Sequence, residues 1–390
     1  MRIIKINDTI EINGKIDSTN ANEFENKLFA AADGMSEYII LDGNELEYIS
    51  SAGLRVFLKL KKQTGKNISL INVSNEIYDI FEVTGFTNLI NVEKKLREIS
   101  TENMEKIGEG GNGTVYRMDA DTIVKVYKEQ NSPEKIKGER ETSRKAFLKG
   151  IPTAISYDFV KADGYYGIVY EMINAKTLAQ VIGEEPDKLE YYAKECAKLL
   201  KHLHTTEFEP GELPNAKDFC SYWIDIFKEQ LTENEEKTLR RVIDMIPERN
   251  TFIHGDYHVS NIMLQDGELI LIDTGDSALG HPIIDFIGMA LVYIFAKRNP
   301  DSLYKIAHIT PEQAEIYWDV FMKTYFDTDD DMIIKKYTEE IVYFACLKYM
   351  WGIARTPVNI PPHIRQMVIE QAKKTLLDGA DKEYSILKDI

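Results

Sequence analysis

The sequence predicts a small α/β sandwich over residues 1–100, followed by a bilobal α+β unit over residues 101–390. Three features of the pattern predict it. Strand and helix periodicities alternate up to residue 92; the tract KKLREISTEN at 94–103 is charged without an apolar period; and beyond it glycine-interrupted strands give way to helical spacing. A boundary near residue 100 also suits the length, since 390 residues exceed one average domain of about 100–200.

Residues 3–16 alternate Ile with polar residues and contain Asn7-Asp8 and Asn13-Gly14 as turn pairs, which predicts a hairpin. Residues 21–32 have helical spacing, and 38–42 form a short apolar strand. Residues 52–64 are helical, with Leu54, Phe57, Leu58 and Leu60 on or near one face. A strand at 68–73, a helix at 75–83 and a short strand near 89–92 complete the sandwich, because strands alternating with helices argue for that class. In the second unit 104–127 reads as strands, 135–148 as a charged helix, 165–172 as a further strand and 189–246 as mostly helical. The first lobe is thus expected at 101–173 and the helical second lobe at 174–390.

Hydrophobic residues make up 44% of the chain, enough to build cores, so disorder is not expected. The net charge of -17, with most of the acidic excess after residue 100, repels polyanions and argues against nucleic acid as a partner. The same field favours a cationic substrate, although an acidic surface that keeps the chain in solution accounts for it too. Cys196, Cys220 and Cys346 are odd in number and widely spaced, which fits neither a disulfide framework nor a zinc site and points to buried thiols in a reducing compartment. The opening residues do not read as a signal peptide, and the apolar stretch 286–296 is too short to span a bilayer. A cytoplasmic protein with no membrane partner is the expectation.

Gly108, Gly110, Gly111 and Gly113 lie in GEGGNGTVY, where absent side chains let backbone N–H groups approach an anionic polyphosphate. Alone, such a run is as well explained by a turn. Here it opens a strand pair, and Lys125 follows in the apolar strand Ile123-Val124-Lys125-Val126-Tyr127. A lysine among apolar neighbours is costly to desolvate unless an anion meets it; the bland alternative is an edge lysine facing water. A carboxylate from the next helix would hold it, and Glu141 is the expected partner, with Glu139 second.

The densest signal is His254-Gly255-Asp256-Tyr257-His258-Val259-Ser260-Asn261, followed by the apolar strand 269–272 and then Asp273-Thr274-Gly275-Asp276. Phosphoryl transfer needs a carboxylate to orient and deprotonate the attacking hydroxyl, and hard oxygen ligands to hold Mg²⁺. Asp256 suits the first task; Asn261 and Asp273 suit the second. One such Asp read singly would be a turn residue or a helix cap, but the joint pattern outweighs that reading. His254 is expected to hydrogen bond the loop backbone, His258 to be exposed, Asp285 to cap or brace the loop, and His202 and His204 to lie at a helix end.

These motifs, GxGxxGxVY, VKVYK, HGDxxxxN and DTGD, resemble those of the aminoglycoside phosphotransferase and choline kinase-like superfamily, a branch of the protein kinase-like fold. The resemblance covers about three quarters of the chain. It implies ATP bound by the first lobe, with Glu171 and Ile173 among the nucleotide-binding positions, and a small hydroxyl- or amine-bearing acceptor bound by the helical lobe. It also implies Asp256 as base, with Asn261 and Asp273 on Mg²⁺. Protein kinases have Arg where Gly255 stands and an Ala-Pro-Glu block that is missing here, so a small acceptor is preferred over a protein. Two rival readings remain: a partner-switching scaffold that binds nucleotide with little turnover, and an atypical serine protein kinase.

The first hundred residues resemble the STAS domain of anti-sigma-factor antagonists and sulfate transporters, through the segment DGNELEYISSAGL at 42–54. Matching Gly53-Leu54 to that pattern puts Ser51 at the phosphorylatable position, while Ser50 stands where many members have Asp. The resemblance implies a module that docks a protein regulator. Either serine would serve as a helix N-cap in any case.

Overall fold

The computed structural model describes residues 1–6, 9–35, 37–355 and 360–390. It divides into two compact units, one comprising Met1–Ser100 with Val160–Gly164, the other Thr101–Phe159 with Tyr165–Ile390.

The first unit runs β1 (Arg2–Ile6), β2 (Thr9–Ile16), α1 (Ala21–Ala32), β3 (Tyr38–Asp42), β4 (Leu46–Ile49), α2 (Ser51–Thr64), β5 (Asn67–Val73), α3 (Asn75–Val83), β6 (Asn91–Lys94) and β7 (Arg97–Ile99). Its sheet has the order β1-β2-β3-β5-β6, with β4 paired to β2. β1 and β2 are antiparallel, whereas β2, β3, β5 and β6 are parallel and so need the crossover helices that the sequence supplies between them. Phe24, Phe57 and Phe81 come from the three helices and meet in the core, with ring centroids 5.8 Å and 5.5 Å apart along the series. Burying three aromatic rings together is what fixes the helices on the sheet.

Two turn expectations fare differently. Asn7-Asp8 lies outside the described residues, and Asn13-Gly14 is not a turn. Gly14 stays within β2 at φ 87, where the pairing register to β4 shifts, so it makes a bulge. The tract expected as a linker also contains β7, which runs parallel to Val160–Ala162. Its three residues are too few to show a period, and a partner distant in sequence decided their conformation.

In the second unit a sheet ordered β11-β12-β10-β9-β8 is formed by β8 (Glu105–Glu109), β9 (Gly113–Arg117), β10 (Thr122–Tyr127), β11 (Ser156–Ala162) and β12 (Tyr165–Glu171). α4 (Pro133–Leu148) follows β10 and starts two residues before the predicted helix, because Ser132 accepts from Lys135 N–H as its cap and Pro133 fits the first turn. The helical lobe contains α5 (Leu178–Glu184), α6 (Leu189–Thr205), α7 (Ala216–Asp225), α8 (Glu233–Asp244), α9 (Ile283–Ala290), α10 (Pro300–Ala307), α11 (Pro311–Phe326), α12 (Asp331–Arg355), α13 (Pro362–Gly379) and α14 (Ile386–Asp389). Between α8 and α9 lie β15 (Ile262–Gln265) and β16 (Glu268–Leu271), which pair with each other, and β15 also pairs with β13 (Lys176–Thr177), just before α5. β14 (Phe252–Ile253) pairs with β17 (Ala278–Leu279), so the stretches just before and just after the two acidic motifs are held side by side.

All three cysteines are buried, and burial pushes the Cys346 thiol up to about 11. No described helix is long and apolar enough to cross a membrane.

Candidate active site

Lys125 sits in the centre of β10, between β9 and β12, and its side chain is 14% exposed. A cation this dry needs counter-charges, and two are present. Its Nζ lies 2.8 Å from Glu139 Oε1 of α4 and 2.7 Å from Asp273 Oδ1. Burial alone would lower the lysine's pKa, but the carboxylates of Glu139 and Asp273 outweigh it and hold the ammonium form well above the ordinary range. Tyr127 O–H donates to the same Glu139 oxygen at 2.6 Å, so the carboxylate that holds Lys125 is itself pinned.

The expected partner Glu141 is therefore corrected to Glu139. Ile136, Glu139, Ser143 and Ala146 fall on the buried face of α4, whereas Glu141 is two residues round the helix and pairs with Arg144 in solvent.

The loop at 254–261 is built from backbone contacts upward. Asp285 of α9 has no exposed surface and accepts from His254 N–H at 2.9 Å and Gly255 N–H at 2.6 Å. His204 of α6 donates from Nε2 to the same carboxylate at 3.0 Å, while its Nδ1 accepts from Tyr325 O–H at 2.7 Å. Asp285 thus braces the loop as expected. His204 was expected only to end a helix; the structure makes it part of that brace, since a buried imidazole must satisfy both nitrogens. His254 also behaves as expected: its Nδ1 accepts from Asp256 N–H at 3.4 Å, leaving Nε2 to donate to Ile272 O at 3.2 Å. Gly255 adopts φ 80, and a Cβ there would collide with Asp276 O, so no larger residue fits between His254 and Asp256.

Asp256 projects from this frame with its side chain 43% exposed. Asn261 Nδ2 donates to Asp256 O at 2.9 Å and Oδ2 at 3.2 Å, and Ile272 N–H donates to Asn261 O at 2.9 Å, which ties the loop to the strand leading into Asp273. Two contacts were not foreseen. His258 is not exposed: its side chain is 14% accessible and Nε2 lies 3.5 Å from Asp256 Oδ2. Lys348 of α12, buried, donates to Gly255 O at 2.8 Å and lies 3.8 Å from Asp256 Oδ1. Burial by itself would favour the protonated carboxyl, but the His258 hydrogen bond and the Lys348 charge outweigh it and hold Asp256 well below the usual carboxylate range.

Asp273 has left-handed backbone, φ 59 and ψ 61, at the head of the turn Thr274–Asp276. A non-glycine residue held there is mildly strained, and such strain persists where the surroundings fix a side chain's direction. That direction is toward Lys125.

The glycine loop separates into two kinds of position. A Cβ added at Gly110 or Gly111 would meet nothing, and one at Gly108 only ordinary contacts with Val115, so these three keep the loop open. Gly113 is different: a Cβ there would collide with Val126 O, so its missing side chain lets β9 and β10 approach. Gly110 N–H donates to Gly113 O at 2.9 Å, which closes the loop. Glu171 Oε1 accepts from Ile155 N–H at 2.7 Å, so its carboxylate braces the sheet. Ile173 is buried just beyond it.

A family model described as the phosphotransferase enzyme family matches residues 103–316, and a STAS domain model matches residues 2–99. Over 84 residues the chain is 34% identical to "Putative anti-sigma factor antagonist BtrV" of Bordetella bronchiseptica, covering 21% of this chain and 72% of that protein. Among solved structures it is similar to ADP-bound aminoglycoside phosphotransferase APH(2'')-Ib, with 16% identity, a TM-score of 0.47 and coverage of 77% of this chain and 98% of that one. It is also similar to a choline/ethanolamine kinase family protein from Mesorhizobium loti, with 14% identity, a TM-score of 0.45 and coverage of 74% and 92%.

Proposed function

We propose, for a chain that belongs to the phosphotransferase enzyme family, that it transfers the γ-phosphate of ATP to a small hydroxyl- or amine-bearing acceptor in a Mg²⁺-dependent reaction regulated through its STAS domain. The observation that carries this reading is the meeting of Lys125, Glu139 and Asp273 beside a loop that presents Asp256 and Asn261. The donor set fits the ligands. Lys125 is a buried cation aimed at a carboxylate that polyphosphate oxygens could replace, and Gly108, Gly110 and Gly111 leave room for phosphates above β8 and β9.

Asp273 and Asn261 offer hard oxygen donors of the kind Mg²⁺ prefers, the amide nitrogen of Asn261 being already turned to Asp256. Bound Mg²⁺ would neutralise charge on the phosphates. Asp256 orients the acceptor hydroxyl; as its oxygen bonds to the γ-phosphorus and the bond to the bridging oxygen breaks, the hydroxyl proton passes to the Asp256 carboxylate and the electron pair leaves with ADP.

Thermal unfolding with ATP and Mg²⁺, followed by an ADP-release screen of hydroxyl and amine acceptors, tests the reading. It expects a rise in melting temperature and acceptor-dependent ADP; absence of any nucleotide effect would refute it. The lysine clamp gives a sharper outcome. Glu139→Gln is expected to lower kcat/KM for ATP by about tenfold or more, a loss of about 1.4 kcal/mol, while Glu141→Gln stays within about twofold. Equal losses in the two variants would undo the assignment of Glu139.

Regulation is assigned to the start of α2. Ser50 is the N-cap and accepts from Gly53 N–H, so the exposed Ser51 hydroxyl is not needed for capping and is open to phosphorylation. A phosphate there would sit at the positive end of the helix and add charge to a docking face. Turnover and regulator binding that are the same in Ser51→Ala and Ser51→Glu as in the native chain would remove this part of the reading.

A further inference from the structure

The overall charge of -17 suggests a cationic acceptor, but charges within about one Debye length, roughly 8 Å, decide what a site prefers. Next to Asp256, the Asp285 carboxylate is taken up by backbone N–H groups and His204, and a cation, Lys348, lies 3.8 Å from Asp256 Oδ1. Lys348, Trp351 and Arg355 stand at i, i+3 and i+7 and share one face of α12. Lys348 Nζ lies 5.8 Å from the centre of the Trp223 ring of α7, Trp223 and Trp351 are 6.4 Å apart, and the Arg355 guanidinium lies 5.2 Å from the Trp351 ring.

These contacts form a continuous row that starts at Asp256 and ends at Arg355, whose Nη1 also donates to Tyr222 O–H at 3.3 Å. Arg355 has no ion-pair partner among the described residues, and the Trp351 indole N–H has no acceptor there. The 341–355 half of α12 carries no acid, and of the α7 acids Asp225 is paired with Arg240 at 2.7 Å, while Asp218 lies a turn before Tyr222.

We infer that the acceptor is an anionic hydroxyl compound, bearing a carboxylate or phosphate that Arg355 engages while its ring or carbon frame lies on the half-buried Trp351, backed by Trp223, and its hydroxyl reaches Asp256. This rests on the phosphotransferase reading above and names its substrate class. An ammonium-bearing acceptor would meet two cations along this row, Lys348 and Arg355, and Asp256 is already paired with the first of them.

Two of the three tryptophans lie in the row, so intrinsic fluorescence reports its occupancy in the full-length protein. The probes are gluconate, glucose and glucosamine, an anionic, a neutral and a cationic polyhydroxyl compound, titrated in the presence of Mg²⁺ and a non-hydrolysable ATP analogue. Gluconate is expected to change the emission, with the other two at least about tenfold weaker, and Arg355→Glu is expected to abolish the gluconate response and favour glucosamine. Tighter binding of glucosamine by the native protein, an undiminished gluconate response in Arg355→Glu, or no response to any probe would each overturn the inference. The nucleotide-dependent rise in melting temperature is measured alongside; its loss would indict the phosphotransferase reading instead.

Discussion

Asp256→Asn is expected to lower kcat by about 10³-fold while leaving the ATP-dependent rise in melting temperature intact, since a positioned acid–base group typically contributes about 10²–10⁴. The substitution keeps the shape and one acceptor oxygen, so the Asn261 contact can survive. What it removes is the negative charge that balances the buried Lys348 and that, on the proposed mechanism, receives the acceptor's proton. The loss should therefore fall on kcat, with acceptor KM changing far less. Steady-state rates with ADP detection decide it, and a drop of less than about tenfold would mean that another group takes the proton.

The parts of this site that were legible in the sequence are those that lie close together along the chain. Asp256, Asn261 and Asp273 fall within eighteen residues, with an apolar strand between them that could only be a hairpin leg, so their convergence followed from local reading. Lys125 was legible because charge in the middle of a β strand has to be answered. The identity of the answering acid was harder, since α4 has few apolar residues to set its phase. Counting from Ile136 by three, seven and ten gives 139, 143 and 146, which is the buried face, and that count would have selected Glu139 over Glu141.

Lys348 and His204 were beyond such reading because they reach the loop from helices far away in sequence, α12 and α6. Lys348 did leave a trace: it stands alone in the apolar run Ile341-Val342-Tyr343-Phe344-Ala345-Cys346-Leu347, where a charge is as conspicuous as Lys125 in its strand. His258 was misjudged for a related reason, a polar loop residue being exposed by habit but not when the loop folds back on its own carboxylate. In the first unit all three helices were legible from periodicity, while β4 and β7, at four and three residues, were too short to carry a period.

The second large effect concerns stability. Asp285→Ala is expected to cost about 3–5 kcal/mol, because removing one partner of a buried charged network leaves the others unpaired. Here those others are the N–H groups of His254 and Gly255 and the ring of His204, all out of solvent. Burial pushes the Asp285 carboxyl upward, but the hydrogen bond from His204 and that from the His254 backbone outweigh it, so the native group stays below its usual value. A depressed native value means that the unfolded chain binds the proton first on acidification. The stabilisation is therefore fully present above the unfolded value of about 3.9 and is lost as the pH falls through the native one. Melting curves of the native protein and of Asp285→Asn from pH 7 to pH 3 should accordingly lie far apart down to about pH 4 and then converge. A constant gap across that range would mean that shape, and not the ionised carboxylate, is what the loop requires, and the brace would have to be reassigned to packing around α9.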